Sequence, residues 1–200
     1  MQLKTVKINV LSSDGKPVGH GSGVIIDAKR GLFLTAAHVG LDDRFRNQSL
    51  QVEFYNGEEI TAWLVVYEYT VDPKDGDDLA LLSIGEPVPD GYPEAPVNCD
   101  IAPLGSDLWV SGSPATMNWT ITRGTVIANR PRTGFDPYWI ATDAATWYGN
   151  SGGPMFNSKG EIVGIVSHIL ATGGAWSSSW DGYGYGVSGP SVCKFLDTWM

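Results

Sequence analysis

Residues 141–157 read ATDAATWYGNSGGPMFN. At their centre Ser151 is fenced by Gly149, Gly152 and Gly153, and the run from Gly149 to Gly153 fits a G-x-S-x-G pattern. Two readings compete: an exposed serine nucleophile, or a residue in an ordinary tight turn. A nucleophilic serine needs a base and a carboxylate, and their order along the chain differs between folds. The reading of this stretch therefore decides the architecture.

Three histidines are available as the base: His20, His38 and His168. An α/β-hydrolase requires the order serine, acid, histidine. Only His168 follows Ser151, Glu161 is the one acid between them, and apolar runs do not alternate with helical patterns. That order fails. The order histidine, aspartate, serine fits two-barrel serine proteases. His38 lies in LTAAHV, directly after the apolar run Leu32-Phe33-Leu34, and Asp78 lies in DDLALL, directly before another. Asp72, Asp75 and Asp77 are close by. Asp78 is chosen because it alone abuts the strand, where its direction is fixed, and the others read as solvated loop charges.

Alternation dominates the rest of the chain. Val6, Ile8 and Val10 alternate with Lys7 and Asn9, and a second run covers 23–26. Around Asn56-Gly57, Leu50, Val52 and Phe54 face Ile60, Ala62, Leu64 and Val66, which is a hairpin pattern. From Pro87 to Pro103 five prolines interrupt any period, which marks a segment crossing between two lobes. Strands resume at 108–110, 119–126, 139–142, 155–156 and 162–169, whereas 172–188 is rich in Gly, Ser, Trp and Tyr. Only the end looks helical: Pro190 suits a first helical position, and Val192, Phe195, Leu196 and Trp199 share a face. Many short strands and one terminal helix predict paired antiparallel β-barrels.

Net charge is −9, which argues against binding driven by phosphate neutralisation; protein or peptide substrates are expected, with no nucleic acid and no membrane, and the oligomeric state is left open. The start, MQLKTVKINV, has no apolar signal core, and no later run suits a membrane span. Whether Cys99 and Cys193 meet is left open by their separation, and two thiols do not define a secreted scaffold. An intracellular, cytoplasmic setting is expected, with a phage- or virus-encoded enzyme of the host cytoplasm or virion as the alternative. Isolated histidines and distant cysteines give no metal spacing, and no cofactor is expected.

TAAHV, DLALL and GNSGGP together resemble the chymotrypsin-like (trypsin-fold) serine proteases. GSGVIID, TRGTVIANR, TDAA ahead of GNSGGP, and GEIVGIV after it are similar to the bacterial HtrA/Deg-type protease domain. The likeness implies one all-β peptidase domain over 1–200, with two antiparallel six-stranded β-barrels and a short C-terminal helix. The barrels would cover about 1–90 and about 104–188, with the helix at about 190–199. It implies a serine endopeptidase working through His38, Asp78 and Ser151, with an oxyanion hole of Gly149, Asn150 and Ser151. Ala145, Thr146, Val166, Ser167 and His168 would form the substrate pocket. Ser167 would stand behind the triad, either hydrogen-bonding Asp78 or satisfied elsewhere as a buried serine. With no Asp at the pocket base, the expected preference is for small or medium apolar residues.

Substrate would add as a strand along 166–170. His20 is expected to be structural or at the surface, and Trp147, Trp176 and Trp180 are read as loop or core packing, with a cleft wall as the other role. Val39 stands where relatives carry a disulfide cysteine, which suits a reducing compartment. Asn150 stands where digestive relatives carry an activating Asp, so no zymogen cleavage is expected. The Ser151 turn of the HtrA likeness lacks a following PDZ domain in these 200 residues. A catalytically silent protease-fold binding module is the alternative function.

Overall fold

The structure, a computed structural model, describes residues 1–41, 49–68, 77–129, 139–171 and 180–200; the side chains of 168–171 and 180–182 lie outside that description. After a short 3-10 turn at Gln2–Lys4, six strands form the first closed barrel: β1 (Thr5–Leu11), β2 (Pro17–Asp27), β3 (Leu32–Thr35), β4 (Ser49–Glu53), β5 (Glu59–Glu68) and β6 (Leu79–Ser83). Six more form the second: β7 (Asp107–Gly112), β8 (Thr120–Ala128), β9 (Trp139–Thr142), β10 (Pro154–Phe156), β11 (Ile162–Ala171) and β12 (Trp180–Ser188). One helical turn, α1 (Ala37–Gly40), follows β3, and α2 (Gly189–Trp199) closes the chain. All pairings between these strands are antiparallel. This is the expected all-β, two-barrel architecture.

The hairpin read from alternation is present. β4 pairs with β5 from Leu50↔Ala62 to Glu53↔Glu59, and Gly57 takes a φ of 85°, which the turn needs and glycine adopts without strain. β12 is the element that alternation did not disclose. Its glycines interrupt the pattern because the backbone must come close to its neighbours. A Cβ on Gly186 would land on the Ile165 carbonyl, and one on Gly164 of β11 would press within 2.6 Å of the Ile140 side chain.

Each barrel has an apolar interior. The first gathers Val6, Ile8, Ile25, Phe33, Val52, Phe54 and Leu82, and the second gathers Leu108, Val110, Ile140, Met155 and Val163. A third cluster joins them: Val24, Leu34, Leu79 and Leu81 from the first barrel meet Phe156, Ile162, Ile165 and Val187 from the second. Val192 and Phe195 of α2 pack into this same seam, whereas Trp199, grouped with them by period, is half exposed and donates its indole N–H to Glu68.

The proline-rich crossing segment is laced to both barrels. Ala95 N–H donates to Ile25 O, and Ile162 N–H donates to Pro96 O. It also carries a disulfide: Cys99 bonds Cys193 of α2, with Cα atoms 5.7 Å apart and a sequence separation of 94. A cross-link over a loop of that length stabilises mainly by restricting the unfolded chain, by roughly 2–5 kcal/mol. Reduction, or Cys193→Ser, should therefore lower Tm by roughly 5–15 °C in calorimetry. An unchanged Tm with both thiols titrating free would contradict that role.

Candidate active site

β3 and β6 are neighbours, with Thr35 opposite Ala80. Their ends therefore place His38, in the turn after β3, beside Asp78, just before β6. Ala36 and Ala37 are fully buried, and such small residues let the α1 turn pack closely on the barrel. Asp78 is buried and holds His38 twice: its Oδ1 accepts from the backbone N–H at 3.0 Å, and its Oδ2 meets Nδ1 at 2.6 Å. Ser167, from β11 of the other barrel, donates its hydroxyl to the same Oδ2 at 2.5 Å. A carboxylate only accepts, so Nδ1 carries hydrogen, and in the neutral form of the ring the lone pair lies on Nε2. Burial pushes the Asp78 carboxyl up. The hydrogen bonds and charge of His38, with the Ser167 hydroxyl, outweigh it and leave Asp78 below its ordinary value.

Ser151 sits between β9 and β10 in a turn built from glycines. Gly149 has φ +97° and Gly152 φ +82°. A Cβ on Gly152 would fall on Thr35 Oγ1 and Ser22 O, and one on Gly149 would fall on Ser113 O and lie 2.7 Å from His20 Nε2. Asn150 N–H donates to Trp147 O at 3.0 Å, and Gly153 N–H donates to Asn150 O at 2.8 Å. The N–H groups of Gly149 and Ser151 meet no acceptor among the described residues. The Ser151 hydroxyl donates to Ser167 O at 3.4 Å. Ser167 thus touches both Asp78 and Ser151. Asp78, His38 and Ser151 are linked through Ser167 at the seam, and the Ser151 loop also carries the unengaged N–H groups of Gly149 and Ser151.

The other expected residues gather along β11 and the loop before Ser151. Ala145 is exposed, and its carbonyl accepts from Thr122. Thr146 is buried, its hydroxyl donating to Ala144 O at 2.8 Å, and a Cβ on Gly184 of β12 would come within 2.5 Å of that oxygen. Val166 is buried within the core of the second barrel, so it backs the site from inside. The His168 backbone lies opposite Tyr185, and its side chain is outside the described residues. Asn150 is buried with Oδ1 unpartnered among the described residues.

His20, on β2, places Nε2 2.9 Å from Ser113 O, a structural contact. Trp147 is exposed beside Tyr148, edge to face, while Trp176 and the Trp180 side chain are outside the description. Asp77, expected as a solvated charge, is instead buried, because it shares the approach to β6 with Asp78; Asp72 and Asp75 lie outside the described residues. Sequence reasoning did not single out Ser22, which grips the Ser151 loop, or Thr35, which donates to Ser22 O. The visible signals are the GSG run containing Ser22 and the TAAHV run that Thr35 opens. A cavity of about 550 Å³ elsewhere on the first barrel, lined by Lys7, Asn9 and Glu59 among others, includes none of His38, Asp78 and Ser151.

Residues 21–165 match the trypsin-like peptidase domain model. The chain belongs to this family. The chain is 34% identical over 168 residues to a probable periplasmic serine endoprotease DegP-like of Buchnera aphidicola, covering 82% of this chain and 34% of that one. It is 35% identical over 160 residues to the periplasmic pH-dependent serine endoprotease DegQ of Escherichia coli, covering 78% and 32%. A crystal structure of the serine endoprotease from Yersinia pestis superposes with a TM-score of 0.76 at 26% identity, covering 98% of this chain and 62% of that one. The fold is chymotrypsin-like. The chain spans about a third of the length of the curated relatives it matches.

The intracellular expectation does not stand. The matched relatives are named periplasmic, and the two cysteines form a bond that persists in oxidising compartments. Val39 excludes only one local pairing and carried no information about Cys99 and Cys193.

Asp78 gives a pH prediction. Its folded value is lowered, so its stabilisation is complete above the unfolded value of about 3.9 and is lost as pH falls through the folded value. The stability gap between wild type and Asp78→Asn, from urea unfolding, should shrink as pH falls below about 4. A gap that did not shrink below about pH 4 would contradict the geometry.

Proposed function

We propose that this domain is a serine endopeptidase of the HtrA/Deg type, with Ser151 as nucleophile, His38 as base and Asp78 as the carboxylate that orients it. The observation that carries this reading is the double grip of Asp78 on His38, set against a glycine-turned Ser151 on the facing barrel. Ser151 Oγ attacks the scissile carbonyl carbon while its proton passes to His38 Nε2. The tetrahedral oxyanion is met by the N–H groups of Gly149 and Ser151, a contribution worth about 10²–10³ in rate per donor in comparable enzymes. His38 returns the proton to the leaving amine as the C–N bond breaks, and water then releases the acyl group by the same route.

β10 pairs with β11 only as far as Pro154↔Ile165, so the β11 edge beyond Val166 is not taken by that strand. This supports strand addition of an extended peptide there. A substrate N–H taking the Ser167 carbonyl would displace the Ser151 hydroxyl now donating to it, freeing that hydroxyl for His38. Substrates are proteins or peptides, cut after small or medium apolar residues. Thr146 lies close under Gly184 with its hydroxyl satisfied within its own loop, which supports a shallow, uncharged pocket. The setting we infer is the periplasm, as the relatives' names and the disulfide support.

A peptide-library cleavage profile tests this. Wild type should cut after residues of the size of Ala, Val or Leu, and Ser151→Ala should lose activity by more than about a thousandfold. Cleavage after Lys or Arg would overturn the pocket assignment. Folded wild type with no Ser151-dependent cleavage would support a silent binding module.

A further inference from the structure

Ser22 lies on β2 of the first barrel, is fully buried, and meets the Ser151 loop across the seam. Its hydroxyl donates to Gly149 O at 2.7 Å and accepts from Ser113 N–H at 2.9 Å. Its own N–H donates to Ser151 O at 2.7 Å. Its carbonyl accepts from Thr35 Oγ1 at 2.7 Å, on the strand that leads to His38. One residue therefore holds both carbonyls that flank Asn150 and is tied to the strand carrying the base.

We propose that Ser22 is a positioning residue for the oxyanion site, acting from the opposite barrel through the Gly149–Asn150 peptide. The proposal rests on reading 149–151 as that site. A peptide unit is planar, so holding Gly149 O on Ser22 also fixes Asn150 N–H on Trp147 O. Gly149 has no side chain to resist rotation, and its φ lies where glycine moves at little cost. The Ser22 hydroxyl supplies the restraint that Gly149 lacks. Its N–H fixes the far side of the same turn, so the N–H groups of Gly149 and Ser151 keep one geometry. Surrounding glycines accept this approach: a Cβ on Gly112 would come 2.9 Å from Ser22 Oγ, and one on Gly153 would come 3.2 Å from Ser22 Cβ. Because an oxyanion forms only during reaction, loss of the restraint appears in turnover and not in substrate affinity.

Ser22→Ala removes the donor, and Ser22→Cys fills the site with a slightly larger group that donates only weakly. Both are measured on the intact chain for kcat and KM on a peptide amide, for affinity toward a peptide boronic acid that forms a tetrahedral adduct on serine, and for Tm. Each folded variant should lose about ten- to a hundredfold in kcat with KM within about twofold, and boronate affinity should fall by a similar factor. A folded variant that keeps kcat and boronate affinity within about twofold, or that changes KM alone, overturns the role of Ser22. Cleavage surviving in Ser151→Ala would instead overturn the site reading beneath it, whatever Ser22 does.

Discussion

The carboxylate of Asp78 is the constraint around which the molecule is arranged. A charge this deeply buried is costly unless its lone pairs are met by donors. Two donors, the backbone and ring of His38, come from its own barrel, and the third, the Ser167 hydroxyl, comes from the other. The apolar seam of Leu34, Leu79, Phe156 and Ile165 supplies non-directional attraction between the barrels. Asp78 supplies direction, because only one placement of β11 against β6 brings Ser167 to it.

The same seam explains the glycine pattern around Ser151. The turn is pressed between Ser22 and Thr35 on one side and Ser111 and Ser113 on the other, where any Cβ at 149, 152 or 153 would meet backbone or hydroxyl atoms. Tightness and exposure of the serine are therefore one feature. Ser22 and Ser167 have parallel places in it, each crossing from one barrel to a group on the other. The disulfide and the proline-rich crossing segment hold α2 against the same boundary.

What could be read from the sequence follows how locally it is encoded. The Asn56-Gly57 hairpin was legible because alternation and turn chemistry sit within a few residues. The order of His38, Asp78 and Ser151 was legible because each residue adjoins a strand end. β12 was not, since Gly184 and Gly186 remove the alternation that announces a strand, for a reason visible only where Thr146 and Ile165 approach them. The bond between Cys99 and Cys193 depends on where α2 docks, and no local pattern encodes that. Burial of Asp77 and the grip of Ser22 likewise belong to the packed seam and not to their neighbours in sequence.

The central claim is that Asp78, through His38, activates Ser151 and no other serine. Mass-spectrometric mapping of a fluorophosphonate adduct, on wild type and Asp78→Asn at neutral pH, tests it most directly. The account predicts a single adduct on the Ser151 peptide of wild type, with its rate of formation reduced by about a thousandfold or more in Asp78→Asn. Labelling at another serine, or labelling of Ser151 at an unchanged rate in folded Asp78→Asn, would contradict it.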